Sequence, residues 1–184
     1  MMEFSVWVEK NRLFKAGVFD LLGVAVDAIV NPANSGLSHG GGLAADIARE
    51  AGPRLENQCR LAIKKLGRIP VTQNVVTTAG DLPFKGVIHA VGPRMGDGDE
   101  VGKIDRTITN CLRRAAGRGW KSVAFPAIST GLFFVPRKMC AQAFKDAVPR
   151  YWKNHIDSSL ELIRLCLTID DYPIFRSILR SLKG

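Results

Sequence analysis

Short apolar runs alternate along the chain with longer segments of helical periodicity. Polar and apolar residues alternate at 5–10, which predicts a strand, a second strand is predicted at 12–19, and the Lys10-Asn11 turn between them predicts a β-hairpin. Further apolar runs predict strands at residues 28–30, 72–78, 86–91, 122–128 and 160–169. Apolar residues at helical spacing predict helices at residues 43–51, 54–66, 104–116, 136–154 and 172–182.

Strands that alternate with helices predict an α/β fold, a three-layer α/β/α sandwich with a mixed, largely parallel central sheet. Right-handed crossovers place the loops after the strands on one edge of that sheet, where ligands of such folds bind. No internal repeat or low-complexity linker interrupts residues 1–184, so we interpret them as one domain. The sequence leaves open whether this domain was excised from a longer chain.

The composition restricts the class of partner. With 46% hydrophobic residues the chain can bury a core, and 26 Lys and Arg against 17 Asp and Glu give a net charge of +9. This charge favours anionic partners, among which nucleic acid is disfavoured because no basic stripe with interleaved aromatic residues is present. The absence of a signal-peptide pattern and of a membrane-spanning apolar stretch predicts an intracellular protein, nuclear or cytoplasmic.

The four cysteines are well separated and lie inside apolar, periodic segments. They are Cys59, Cys111, Cys140 and Cys166. No CxxC pair occurs and the three histidines are scattered, so the sequence predicts buried reduced thiols and no metal site.

A strand–turn–glycine–helix sequence is the strongest candidate for chemistry. The strand that ends at Val30 is followed by Asn31 and Asn34, then by three glycines at 40–42, and a helical pattern begins at Leu43. This order leaves bare backbone N–H groups at the positive end of a helix dipole, where anions and above all phosphates bind. The alternative is a glycine-rich helix start without a ligand.

Other loops at the same predicted edge strengthen the phosphate hypothesis. Polar, glycine-bearing loops follow the strands that end near Val91 and Ile128, and another loop follows Leu167. Several such loops on one edge predict a composite anion site. The loop at residues 92–100 is rich in glycine and charge, and we expect it to be mobile.

Four sequence motifs, taken together, resemble the macrodomain family, whose members bind ADP-ribose. They are Asp-Ala-Ile-Val-Asn-Pro-Ala-Asn at 27–34, His-Gly-Gly-Gly-Leu-Ala at 39–44, Ile-His-Ala-Val-Gly-Pro-Arg at 88–94, and Phe-Pro-Ala-Ile-Ser-Thr-Gly-Leu-Phe at 125–133. The chain is most similar to macrodomains of viruses and of multidomain ADP-ribosyltransferases. The resemblance implies a monomeric domain that binds ADP-ribose and ADP-ribosylated proteins, without a cofactor.

The resemblance also assigns roles to individual residues. It implies that Asp20 accepts a hydrogen bond from the adenine amine, that Leu21 offers a backbone N–H nearby, and that Ile169 lies against the adenine face. Asn34 would bond the distal ribose hydroxyls, with Phe133 packing beside that ribose. The diphosphate would lie between a first loop and a second loop, which are Gly40, Gly41, Gly42 and Leu43, and Ser129, Thr130, Gly131, Leu132 and Phe133.

Structural alternatives exist for three of these residues. Asp20 could cap a helix, Phe133 could be a core residue, and His39 could hold its loop. The chain also departs from the family pattern at Phe19 and Phe134, where smaller residues are common and where bulky rings are expected to narrow the cleft.

Two functions follow from the resemblance. The first is a module that recognises mono- or poly-ADP-ribosylated proteins. The alternative is a mono-ADP-ribosyl hydrolase acting on acidic side-chain esters, with Asn34 and His39 as candidate catalytic residues. One hydrolase subgroup uses an aspartate at the position that Ala44 occupies here, so this chain cannot use the mechanism of that subgroup. Hydrolysis is therefore the weaker hypothesis.

Overall fold

The computed structural model describes residues 2–180, which fold into a seven-stranded sheet covered by five helices. The strands are β1 (Glu3–Glu9), β2 (Arg12–Val18), β3 (Ala28–Ala33), β4 (Asn74–Thr77), β5 (Gly86–Val91), β6 (Ser122–Pro126) and β7 (Leu162–Leu167). The helices are α1 (Gly42–Ala51), α2 (Pro53–Leu66), α3 (Glu100–Ala116), α4 (Arg137–Asn154) and α5 (Tyr172–Leu179).

The strand order is β1-β2-β7-β6-β3-β5-β4. The five inner strands are parallel, whereas β1 and β4 pair antiparallel at the two edges. The buried side chains form two clusters, one on each face of the sheet. Ile29 packs in the cluster with Ile47 of α1, and Val30 packs in the cluster with Ile108 of α3 and Phe144 of α4. The predicted three-layer sandwich with a largely parallel sheet is therefore confirmed.

Most predicted boundaries lie within a few residues of the observed ones. Gly52 and Gly67, each at positive φ, terminate α1 and α2, and Pro53 occupies the first turn of α2. α3 begins at Glu100, four residues before the predicted start. The prediction missed the first turn because that turn is mostly polar and shows no apolar periodicity. The predicted end of the last helix, at residue 182, lies outside the described residues.

The largest difference lies in β3, which continues through the segment read as a polar turn. β3 pairs with β5 along its whole length, including Asn31 with His89, but it pairs with β6 only at Ala28 and Ile29. Pro32 is tolerated because a residue without an N–H can lie where one side of the strand is unpaired. The gap between the ends of β3 and β6 opens the sheet at its carboxyl edge.

The loop between β5 and α3 is closed by its own carboxylates. Arg94 donates its backbone N–H to Asp97 at 2.8 Å, and Gly96 and Gly98 donate theirs to Glu100 at 2.8 and 3.1 Å. Backbone N–H groups, that of Glu100 itself first, lower the pKa of Glu100. The loop predicted as mobile is thus internally hydrogen-bonded.

All four cysteines are buried free thiols, as predicted. Within residues 2–180, no helix has the length and apolarity needed to cross a membrane.

Candidate functional site

A cavity of about 790 Å³ opens where β3 and β6 separate. The chain runs from β3 towards β5 on one side and from β6 to β7 on the other, so the strand order reverses at this point. Of the fourteen residues that the sequence and the resemblance assign to the site, twelve line this cavity, and His39 and Ile169 do not. The fold therefore brings nearly all of the predicted site together.

The first glycine loop leaves its N–H groups free of side-chain caps. Gly41 is the N-cap of α1, no side chain caps the helix, and its first turn contains no acidic residue. A Cβ built on Gly40, Gly41 or Gly42 would meet no atom of the described residues within 4 Å, and of the three only Gly42 has a positive φ, of 59°. Two of the three glycines are therefore required neither by the backbone nor by neighbouring atoms, and all three border the cavity.

The second loop faces the first across the cavity. Ser129, at φ 67°, turns the chain after β6, and its carbonyl accepts the N–H of Val135 at 3.0 Å. The Ser129 side chain is 5% exposed, and its hydroxyl has no hydrogen-bond partner among the described residues. Gly92, at the end of β5, makes this packing possible, since a Cβ there would lie 2.3 Å from Ser129 Oγ.

Asp20 and Leu21 form one end of the cavity, in a turn and not in a helix. Asp20 Oδ1 accepts the backbone N–H of Leu22 at 3.0 Å, which fixes the carboxylate. Its Oδ2 takes part in no hydrogen bond to the described residues. Leu21 is buried below the exposed Asp20. The helix-cap alternative for Asp20 is therefore excluded, although the carboxylate does stabilise a local turn.

Asn34 and Phe133 lie towards the other end. The Asn34 amide donates to the carbonyl of Ser38 at 2.8 Å and accepts the N–H groups of Gly36 and Ser38 at 3.1 and 3.2 Å. Phe133 is half-buried, and the guanidinium carbon of Arg94 lies 4.5 Å from the centroid of its ring. The backbone carbonyl of Phe133 accepts the N–H of Met95 at 2.8 Å. Asn34 thus shapes its own loop in addition to facing the cavity.

His39 packs behind the first glycine loop, against His89 and Cys59. Its ring centroid is 5.7 Å from that of His89, and its Nε2 is 4.0 Å from Cys59 Sγ. Burial lowers the pKa of His39, an effect partly opposed by Glu56. The ring therefore occupies the position of a residue that holds the loop.

The His39, Cys59 and His89 side chains place three possible metal ligands within 4.8 Å of one another. Both ring nitrogens of His89 already have partners, since Asn31 Nδ2 donates to Nδ1 at 2.9 Å and Thr77 Oγ1 lies 2.8 Å from Nε2. Burial lowers the pKa of His89 to about 3 and raises that of Cys59 to about 11. A metal ion would have to displace these hydrogen bonds and the thiol proton, so the group fits a neutral buried network better.

The cavity wall also contains residues that the sequence did not single out. Thr168, Asp170 and Asp171 lie in the loop after β7, a loop that strand order alone placed at this edge. Arg137, at the start of α4, is ion-paired with the buried Asp171, which also bonds Thr168 at 2.7 Å. Because this guanidinium is neutralised, backbone N–H groups are the main source of positive potential for a bound anion.

Phe19 was expected only to narrow the cleft, and it lines the cavity next to Asp20. Phe134 does not narrow it, because its side chain is 77% exposed and lies outside the cavity wall. Ile169, at 69% exposure, is likewise not among the residues that line the cavity.

Comparison with known proteins gives a consistent assignment. A family model described as "Macro domain" matches residues 30–144. A protein of Enterobacter cloacae named O-acetyl-ADP-ribose deacetylase is 46% identical over 134 residues, which are 72% of this chain and 74% of that protein. An uncharacterized protein of Saccharolobus solfataricus is 39% identical over 165 residues, covering 89% of this chain and 90% of that protein.

Two solved structures share the fold. The Oceanobacillus iheyensis macrodomain with ADP superposes with a TM-score of 0.90 at 24% identity, over 97% of this chain and 95% of that one. The Trypanosoma brucei macrodomain in complex with ADP-ribose gives a TM-score of 0.82 at 23% identity, over 94% of this chain and 72% of that one. The matching family model covers more than half of the chain, and the resemblance inferred from the motifs is confirmed: the chain belongs to the macro domain family.

Proposed function

We propose that this chain binds ADP-ribose in the cavity between β3 and β6 and thereby recognises ADP-ribosylated proteins. The observation that carries the proposal is the pair of loops facing each other across the cavity. The first loop supplies the uncapped N-terminus of α1 and three glycines with open space where a side chain would begin. The second loop supplies the backbone from Ser129 to Phe133. Such a pair can clamp a diphosphate with N–H groups alone.

The two ends of the cavity suit the two nucleoside parts of this ligand. Asp20 Oδ2 can accept a hydrogen bond from the amine of adenine, and the Leu21 backbone lies beside it. At the other end the Asn34 amide can exchange part of its bonding to the 34–38 loop for hydroxyls of the distal ribose. The two solved structures described above are complexes with ADP and with ADP-ribose, which supports the same ligand class.

Calorimetry with ADP-ribose tests the proposal directly. We expect binding of one ligand per chain at micromolar concentrations, weaker binding of ADP, and no comparable heat with a single-stranded RNA of matched charge. The absence of heat with ADP-ribose at these concentrations would refute the proposal. Pull-down with mono- and poly-ADP-ribosylated forms of one carrier protein then distinguishes the preferred modification.

A second function, hydrolysis of an ADP-ribosyl ester, is favoured by one observation, namely the name of relatives such as the Enterobacter cloacae deacetylase. Asn34 is the better placed of the two candidate residues because it lines the cavity, whereas His39 lies behind the glycine loop. Ala44 also lines the cavity and supplies no carboxylate to orient a water molecule.

Incubation with an ADP-ribosyltransferase that has modified its own acidic side chains separates binding from hydrolysis. A module that only binds leaves the label in place, whereas a hydrolase releases it with time. If release occurs, Asn34→Ala should abolish it, and His39→Gln reports whether the imidazole contributes. Release that survives Asn34→Ala would refute the assignment of Asn34.

A further inference from the structure

We propose that Phe19, held by Arg164, is the surface on which the purine base of the ligand stacks, a role that the family resemblance gave to position 169. This inference rests on the proposed binding of ADP-ribose and specifies how its base is recognised. It follows from the positions of three side chains, those of Phe19, Arg164 and Ile169.

The ring of Phe19 is built into the cavity wall. It follows β2 directly, precedes Asp20, and is half-buried while still lining the cavity. Gly17 provides the space for the ring, because a Cβ at that position would lie 2.8 Å from Phe19 Cε2. The backbone of β2 therefore supports an aromatic ring beside the carboxylate proposed to bind the base.

Arg164 holds the ring from another side. This residue lies in β7, the strand that pairs with β2, and its guanidinium carbon is 5.0 Å from the centroid of Phe19. Its Nε is buried and has no hydrogen-bond partner among the described residues. The cation attracts the π-electrons of the ring and restrains it, which leaves a preoriented, less electron-rich aromatic surface for an electron-rich purine.

Ile169 is poorly placed for the same role. Its neighbours Thr168 and Asp170 line the cavity, but the Ile169 side chain is 69% exposed and lies outside the wall. An aromatic ring also offers a purine more than an aliphatic side chain does, since base–aromatic stacking contributes about 1–3 kcal/mol per base, a factor of about 5 to 150 in affinity. The residue that departs from the family pattern, Phe19, thus replaces the residue that the pattern would have used.

The test compares the affinities of four proteins for ADP-ribose and for ADP by calorimetry. The proteins are the wild type, Phe19→Ala, Ile169→Ala and Phe84→Ala, the last being a matched control at a half-buried phenylalanine outside the cavity. We expect Phe19→Ala to weaken both ligands about 5- to 150-fold. The other two variants should stay within about twofold of wild type, and Arg164→Gln should lose about two- to fivefold.

A spectroscopic experiment identifies the contact itself. The emission of Phe19→Trp should be quenched by ADP-ribose in excess of the change seen in wild type, and that of Ile169→Trp should not. Thermal denaturation of every variant identifies those that fail to fold, and Phe19→Leu supplies a milder truncation if Phe19→Ala is one of them.

The outcomes separate this inference from the proposed function. If wild type does not bind ADP-ribose, the proposed function fails and this inference with it. If wild type binds while Phe19→Ala or Phe19→Leu binds equally well, the inference alone is overturned. The inference is also overturned if Ile169→Ala weakens binding and Phe19→Ala does not.

Discussion

The two ends of the cavity are each walled by a phenylalanine that stacks on an arginine, but they are built differently. Phe19 rests on β2, and its arginine, Arg164, comes from the paired strand β7. Phe133 lies in a loop, and Arg94 reaches it from another loop, the hydrogen-bonded segment between β5 and α3. The first end is fixed by the ladder of the sheet, and the second by a few loop contacts.

This difference matches what each end is proposed to recognise. A base has one shape, so a rigid surface next to Asp20 can select it. The distal ribose carries the modified side chain, whose identity varies, and loops accommodate variable groups more readily than strands do. Ser129, in the second loop, and Phe134, directly after it, are non-glycine residues at positive φ, so local backbone strain is present at this end.

The largest effect is expected between the two ends, at Gly41. Its φ of 172° suits any residue and a Cβ there meets nothing within 4 Å among residues 2–180, so Gly41→Val fits the ligand-free fold. The valine side chain would cover the N–H groups that are proposed to bind the diphosphate. The base and the distal ribose, which the diphosphate joins, could then no longer occupy the two ends of the cavity together. We expect a loss of ADP-ribose affinity of about 100-fold or more by calorimetry, which is about 3 kcal/mol.

The same variant should change the free energy of unfolding by no more than about 1 kcal/mol, the range for replacing a helix cap. Gly41→Ala serves as the graded control, with an intermediate loss of affinity. Retention of wild-type affinity by Gly41→Val would show that the glycines do not border the ligand. Loss of the fold would show that they serve the backbone.

The extent of the sequence prediction differs between the parts of the site. The two loops were predictable because strand, turn and glycine signals are local, whereas the role of Asp20 was implied by the family resemblance. The positions of His39 and Ile169 were not, since which way a side chain turns depends on neighbours distant in sequence, such as Cys59 for His39. The extension of β3 through Pro32 could not be predicted from the sequence for a similar reason. It depends on where the pairing of β3 with β6, a strand distant in sequence, stops.

The rigid end is tested by Asp20→Ala, which should weaken both ADP-ribose and ADP. Leaving the buried amine of the base without an acceptor costs about 1–3 kcal/mol, or about 5- to 150-fold in the dissociation constant. Asp20→Asn keeps a single side-chain oxygen, which can accept from the Leu22 N–H or from the base amine but not from both, and it should lose less affinity than Asp20→Ala. Equal affinity of wild type and Asp20→Ala would mean that the carboxylate only stabilises its turn.

Between pH 6.5 and pH 5 we expect the acid sensitivity of the fold to depend mainly on His89, which does not line the cavity. Thr77 donates its hydroxyl to the Thr78 carbonyl at 2.9 Å, so the hydrogen shared with His89 belongs to Nε2, while Nδ1 accepts from Asn31. Burial lowers the folded-state pKa to about 3, below the unfolded value of about 6.5. The unfolded chain therefore binds more protons between these pH values, and stability is lost as the pH falls.

The expected slope approaches about 1.4 kcal/mol per pH unit below pH 6.5, or about 2 kcal/mol by pH 5. Urea unfolding at pH 7 and pH 5 measures the loss. Imidazole ¹⁵N shifts should show His89 as the neutral Nε2–H tautomer at both pH values. Titration of His89 near pH 6.5 in the folded protein would contradict this network.

The smallest effect is expected at the loop end, from Arg94→Ala. The Arg94 guanidinium lies on the Phe133 ring and is itself exposed. We therefore expect its removal to weaken ADP-ribose binding by about 0.5–1 kcal/mol, which is two- to fivefold in affinity. The loss should appear with ADP-ribose and not with ADP, which has no distal ribose, and Arg94→Lys should restore part of it. Arg164→Gln should instead weaken both ligands. A loss at Arg94 that is equal for both ligands would remove the distinction between the two ends, because the loop contacts would then act on the cavity as a whole.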